Sequence, residues 1–184
     1  MPVARLSALA RERGCIAVVD GAQAAGAVEV NVKSLGCHVY ATSGHKWLLA
    51  PKGTGLLYLS EELGTAIDPI ALQSGRAAYS ASSGVASLPS VIGLGAAIDY
   101  LSTIGLARIE AHNLALRGRL HTALAAVPQV TIVSGGAGPI ASPLLSYRLP
   151  EQHKAGTLHT RLREQHHVEV KVVHTGSEPA LFKA

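Results

Sequence analysis

Cys15-Ile-Ala-Val-Val-Asp20-Gly-Ala-Gln23-Ala-Ala-Gly26 decides the fold. An apolar run closed by Asp-Gly reads as a short strand that ends in a turn. Its apolar residues are consecutive rather than alternating, so the strand is expected to be covered on both faces, as in a parallel sheet. Outward from it, Arg5–Arg13 reads as a short amphipathic helix ending at Gly14. Val28–Val32 is a second β-like piece, Lys33–Gly36 turns the chain, and His38–Ala41 and Leu56–Leu59 are further strands. Strand and helix signals that alternate in this way predict an α/β domain with a mostly parallel sheet and helices.

The second half changes character. Residues 64–88 are rich in loop signals. Ser87–Val127 reads as helix, broken near Thr103-Ile-Gly105, with Ile109, Leu116, Leu120 and Leu124 on one face. Beyond Pro128, strands are expected at Val130–Val133, Leu144–Leu149 and Val168–Val173, with a loop at Gly135-Gly-Ala-Gly138 and a helix over Thr157–Gln165. The domain reading is 1–115 for the α/β part and 116–184 for a small, incomplete α+β unit.

Composition sets the outer limits. Apolar residues make up 48% and charged residues 15% of 184, which is enough for a core and too little charge for a disordered chain. Apolar runs are strand-length, so no membrane span is expected, and the first residues do not read as a signal peptide. The net charge of +4 favours anionic ligands. With aromatics at 4% and the basic residues scattered, no nucleic-acid partner is expected. Cys15 and Cys37 build no disulfide framework, so a reducing, cytoplasmic setting is expected. Both read as small buried hydrophobes. No H-E-x-x-H or Cys/His spacing calls for a metal.

Three groups fall at predicted strand ends: Asp20, the turn Ser43-Gly-His45-Lys46, and Gly53-Thr-Gly55. Ligands of an open parallel sheet bind beyond the carboxyl ends of its strands, so Asp20 and Lys46 are expected to face one crevice. Taken singly, Asp20-Gly21 is an ordinary turn, Lys46 a solvated lysine, and Gly53-Thr-Gly55 a tight turn entering a strand. In this order and spacing they offer what a charged aromatic aldehyde needs: a carboxylate for a ring nitrogen, a lysine for an imine, and a donor-rich turn for a phosphate.

Val18-Val-Asp-Gly-Ala-Gln-Ala-Ala-Gly26, Ser43-Gly-His-Lys-Trp47 and Pro51-Lys-Gly-Thr-Gly55 together resemble the class V aminotransferases. These are fold-type I pyridoxal-phosphate enzymes that include cysteine desulfurases, C–S lyases and isopenicillin-N-epimerase-like proteins. The likeness runs on through Gly93–Tyr100 and Ile109–Asn113. It implies part of the large cofactor-binding domain followed by the small C-terminal domain, and pyridoxal 5'-phosphate as cofactor. Asp20 would pair with the ring nitrogen and Gln23 with the phenolic oxygen, while Ser43 and His45 would hold the phosphate. Lys46 would form the aldimine and then act as catalytic base. Trp47 would pack beside it. The substrate would be a small amino acid or a derivative, processed by epimerase, lyase or transaminase chemistry in a homodimer. A cysteine-desulfurase-like C–S lyase and a truncated, non-catalytic remnant are the alternatives.

The same resemblance marks departures. Family members are roughly twice as long, so the chain reads as a fragment lacking the N-terminal half. The element that reaches a partner's phosphate is matched only by Gly84-Val-Ala86. An arginine expected near Lys183–Ala184 for the substrate carboxylate is missing, and no cysteine follows Cys37, which speaks against a conventional desulfurase.

Overall fold

The computed structural model describes residues 1–63, 87–136, 138, 141–150, 155–175 and 178–183. The apolar run at 15–19 forms a strand only at its end, Val18–Asp20 (β1). It lies parallel to Val39–Ser43 (β2), which pairs antiparallel with Gly55–Leu59 (β3) in the order β1-β2-β3. The three-stranded sheet is therefore mixed, because residues 44–54 fold back on themselves and return β3 against β2. Val18 is 67% and Ile16 52% exposed, so β1 is not covered on both faces. Consecutive apolar residues identified the strand but not what lies over it.

Helix α1 (Val3–Glu12) closes on Gly14, whose φ of +64° lets the chain reverse toward β1. Its covered side is Val3, Ser7 and Ala10, while Leu6 and Leu9 face outward. The β-like piece expected at Val28–Val32 is not a strand: Ala25 and Val28 make an isolated bridge, and Val32–Leu35 is a one-turn helix (α2). The overriding signal is the cap at each end of that turn. Asn31 Oδ1 accepts from the N–H groups of Lys33 and Ser34 at 3.1 and 3.2 Å, and Gly36 adopts the left-handed conformation.

At the end of the sheet away from Asp20, α1 is tied to the strands by polar contacts. Arg11 Nε donates to Gly36 O at 2.8 Å, and Arg11 Nη2 meets Glu62 Oε1 at 2.5 Å. Glu62 belongs to a 3₁₀ turn, Glu61–Leu63, just after β3. His38 Nδ1 accepts the Ala17 N–H at 2.9 Å, so the ring hydrogen sits on Nε2, which faces Glu62 at 3.6 Å. Helix α3 (Leu88–Ile104) has Pro89 in its first turn and ends at Gly105, φ +92°. A Cβ at Gly93 would come within 2.7 Å of Pro51 Cγ, so α3 backs the turn that leads into β3.

Contacts divide the chain at Glu110/Ala111, inside helix α4 (Leu106–Ala125); the sequence reading set the division at 115/116. Of the face expected on α4, Leu116 is exposed and Arg117 is buried instead, donating through Nη2 to Gly135 O in the glycine loop. The second unit, Ala111–Ala184, is built on an antiparallel sheet, β4 (Thr131–Ile132), β5 (Ser146–Arg148), β7 (Glu178–Lys183) and β6 (Lys171–Thr175), in that order. Helix α5 (Ala155–His166) contributes Leu158 and Leu162 to its core. The centre is Tyr147, Val170 and Phe182, with the Tyr147 and Phe182 rings stacked at 5.3 Å. Strand β7 was not foreseen, and it carries the most deeply buried aromatic of the unit. Among the described residues, no single helix is long and apolar enough to cross a membrane.

Two outcomes follow from this packing. Phe182→Ala should destabilise the chain by about 3–5 kcal/mol in urea denaturation followed by far-UV circular dichroism, since Phe182 is 1% exposed. Hydrogen bonding to Arg11 holds the Glu62 carboxyl below its usual 4.5. A carboxyl lowered in this way stabilises the fold above the unfolded value, and the contribution disappears as pH falls through the folded value. Glu62→Gln should therefore lower the urea midpoint at pH 7, by an amount that shrinks as the pH falls, measured at low salt.

Candidate active site

The site begins with the register of β1 on β2. Val18 pairs with Val39, Val19 with Tyr40 and Asp20 with Ala41. Side chains alternate along a strand, and partners across a ladder share a face. One face therefore carries Val18, Asp20, Val39, Ala41 and Ser43, together with Leu57 and Leu59 of β3, and the other carries Val19, Tyr40 and Thr42. Asp20 closes β1, and Ser43 closes β2 two residues past Asp20's partner. The two stand on one face at one end of the sheet, with Ala41 opposite Asp20 and on that same face.

Residues 21–28 then coil in a tight turn. Gly21 N–H donates to Ala41 O at 2.8 Å and continues the ladder, and Gly21 O accepts from Ala24 N–H at 2.9 Å and Thr42 Oγ1 at 3.2 Å. Asp20 Oδ1 accepts the Ala22 N–H at 2.9 Å, which fixes the carboxylate at the mouth of the turn. No side chain fits at position 21, because a Cβ would fall 2.0 Å from the Tyr40 hydroxyl. Tyr40 is buried, and burial, reinforced by Cys37 and Asp20, pushes its hydroxyl above the usual value of 10.0, so it stays neutral beneath the turn.

The loop between β2 and β3 carries the remaining candidates. Gly44 N–H donates to Thr54 O at 2.8 Å, Ala50 N–H to Gly44 O at 2.9 Å, and Leu49 N–H to Lys46 O at 3.2 Å, so Lys46 rides on a loop closed upon itself. His45 is exposed and Lys46 half-buried, while Leu48 and Ala50 anchor the loop below. Leu49, at φ +60°, occupies the left-handed region without being glycine, a strain that persists only where the surroundings impose it.

Two contacts stitch the Asp20 turn to the lysine loop. The Trp47 indole donates to Gln23 Oε1 at 3.0 Å. Gly26, at φ +87°, lies against the Trp47–Leu48 peptide so closely that a Cβ would be 2.4 Å from Trp47 O. Asp20, Gln23, Ser43, His45 and Lys46 are thus carried by two turns at one end of one sheet. The Trp47–Gln23 bond and the support of Gly21 by Tyr40 and Thr42 were missed in the sequence. Strand alternation alone would have placed Tyr40 and Thr42 behind Asp20, but nothing in the sequence pairs Trp47 with Gln23. Gly53, φ +84°, and Thr54 form the expected tight turn into β3.

Other candidates lie elsewhere. Cys37 is buried as expected, and burial raises its thiol. Cys15 is exposed instead, because it precedes the strand it was expected to belong to. Gly84-Val-Ala86 lies outside the described residues.

A carboxylate and a lysine loop thus stand at the carboxyl ends of adjacent parallel strands, the end at which open α/β sheets bind their ligands. The family model for class-V aminotransferases matches residues 1–183, and the chain belongs to that family. It is 34% identical to a cysteine desulfurase of Enterobacter sp. (strain 638) over 167 residues, 83% of this chain and 40% of that one. An apo cysteine desulfurase structure from Thermococcus onnurineus NA1 superposes with a TM-score of 0.83 at 28% identity, over 99% of this chain and 50% of that one. A C-DES variant with glycine covalently linked to its pyridoxal-phosphate cofactor superposes with a TM-score of 0.77 over 100% of this chain and 51% of that one. At 22% identity it shows the fold alone. The chain spans about half the length of these solved structures and less of the curated relative.

The glycine contacts set a test. Gly26→Ala forces a side chain into the Trp47 peptide and should cost about 1–3 kcal/mol, with a shift in the emission of Trp47, the sole tryptophan. Gly95→Ala, on an open stretch of α3, should instead stabilise by up to about 1 kcal/mol and leave the emission unchanged.

Proposed function

We propose that this chain forms part of the cofactor site of a pyridoxal 5'-phosphate-dependent enzyme acting on an amino acid or a derivative of one, with Lys46 as the reacting amine. The observation that carries the reading is the placement of Asp20 and Ser43 on one sheet face, with the Lys46 loop bonded to Gln23 beside them. The donor set fits the group: a carboxylate for a cationic ring nitrogen, an amide for a phenolic oxygen, a hydroxyl and an imidazole for a phosphate, and an amine for an aldehyde. Pyridoxal phosphate supplies an aldehyde for imine formation and a protonated ring that accepts the electron pair released at a substrate Cα.

The protein's own work is then positional and electrostatic. Asp20, its Oδ1 already fixed by the Ala22 N–H, would keep a ring nitrogen protonated, since a carboxylate beside a cation favours the charged form. Ser43 and His45 would donate to phosphate oxygens at the end of β2. Lys46 would attack through its neutral amine and, once released, carry a proton to or from the substrate Cα. The unit 1–115 would be the back part of the cofactor domain and 116–184 the small domain. A homodimer in a cytoplasmic setting belongs to the same proposal.

Similarity to cysteine desulfurases favours C–S bond cleavage among the possible reactions. Against a conventional sulfur-accepting route, the two cysteines are Cys15 and Cys37, of which Cys37 is buried. A second reading, that the chain is a non-catalytic remnant which cannot complete the site alone, is favoured by the bare face beside Asp20, where Val18 and Leu57 are 67% and 51% exposed.

The purified chain should be mixed with pyridoxal phosphate, treated with borohydride and digested. Label is expected on the peptide bearing Lys46, and Lys46→Ala should reduce total labelling on the order of tenfold while preserving the circular dichroism. Equal labelling of the two proteins would sink the proposal.

A further inference from the structure

Trp47 meets Gln23 through its indole N–H, 3.0 Å from Gln23 Oε1. An indole nitrogen donates and cannot accept, whereas a glutamine side chain has one accepting and one donating end. Which way a glutamine points is ordinarily ambiguous, but only the carbonyl oxygen can face this partner. The amide nitrogen is therefore turned away from Trp47. Gln23 itself is exposed, on the turn that starts at Asp20.

We infer that Trp47 is a positioning residue: it occupies the accepting end of Gln23 and so fixes the amide NH2 as a hydrogen-bond donor toward a ligand bound beside Asp20. The inference rests on the pyridoxal-phosphate reading above and adds to it the origin of one ligand contact. Gly26 makes the arrangement rigid, because its close approach to the Trp47 carbonyl holds the indole's own backbone against the turn. The turn then presents opposite polarities at two points. Asp20 accepts, Gln23 donates, and the complementary ligand is a planar ring with a cationic N–H at one edge and an oxygen acceptor at another. A freely flipping amide would present its oxygen to that acceptor part of the time and repel it. Trp47 removes the repelling orientation.

The test uses the intact chain and two readouts. Trp47 is the sole tryptophan, so its indole N–H gives one resonance in a ¹⁵N-labelled sample. In the wild type that N–H should be protected from solvent exchange. Gln23→Leu should remove the protection, and Gln23→Glu, which keeps an acceptor but has no NH2, should retain it. Binding is read with 4-deoxypyridoxine 5'-phosphate, which has no aldehyde and so does not depend on Lys46 chemistry. Trp47→Phe and Gln23→Glu should each bind it about three- to tenfold more weakly than wild type, the size of one net hydrogen bond. Should Trp47→Phe fail to fold, the two Gln23 variants carry both readouts. An unprotected indole N–H in the wild type, or affinities of Trp47→Phe and Gln23→Glu equal to that of wild type, would overturn the inference. A protected indole in a wild type that does not bind the probe would remove the proposed function and reduce the Trp47–Gln23 bond to a fold contact.

Discussion

The parallel pairing of β1 with β2 is the constraint on which the rest of the site depends. Asp20 and Ser43 belong to different strands, and the register that sets Asp20 opposite Ala41 puts both on one face. A slip of one residue would send Asp20 to the side of Tyr40 and Thr42 and leave the lysine loop facing an apolar strand end. Several independent contacts hold the register at the point where it matters. Gly21 N–H extends the ladder to Ala41 O, and Thr42 Oγ1 reaches back to Gly21 O. The Ala17 N–H is held by His38 at the other end. The strand pair is short, so these side-chain clasps supply much of the specificity that a longer ladder would provide.

The sequence made the elements of the site legible because their chemistry is local. A strand closed by Asp-Gly, a lysine in a glycine-containing turn, and a Gly-Thr-Gly entry to a strand each announce themselves within a few residues. What was not legible depends on pairing across distance. Val28–Val32 has the composition of a strand, but Asn31 and Gly36 cap a helical turn there. Val18 is apolar on a face that is exposed, because burial depends on what lies over the strand and not on the strand's own residues. The Trp47–Gln23 bond joins two turns that only the β1–β2 register brings together. Strand β7 escaped notice because Glu178 and Pro179 open it with residues disfavoured in sheets.

The second unit follows a different logic from the first. Its sheet is antiparallel throughout, and its centre is an aromatic stack between β5 and β7 covered by leucines of α5. None of the site candidates lies in it. In the first unit Tyr40 and Thr42 are buried behind Asp20, while the face bearing Asp20 is covered at Val39 and has Val18 and Leu57 open to solvent. Asp20 is thus backed by buried side chains on the far face of the sheet, next to apolar positions that are exposed on its own.

The two glycines of the Asp20 turn differ in what they demand of sequence drift. Gly26 is opposed by backbone, the Trp47 carbonyl, and its φ is positive, so no change elsewhere in the chain would make room for a side chain. Gly21 is opposed by the ring of Tyr40, a side chain that can itself be replaced. Position 21 can therefore vary only in company with position 40, whereas position 26 cannot vary at all while the lysine loop keeps its path.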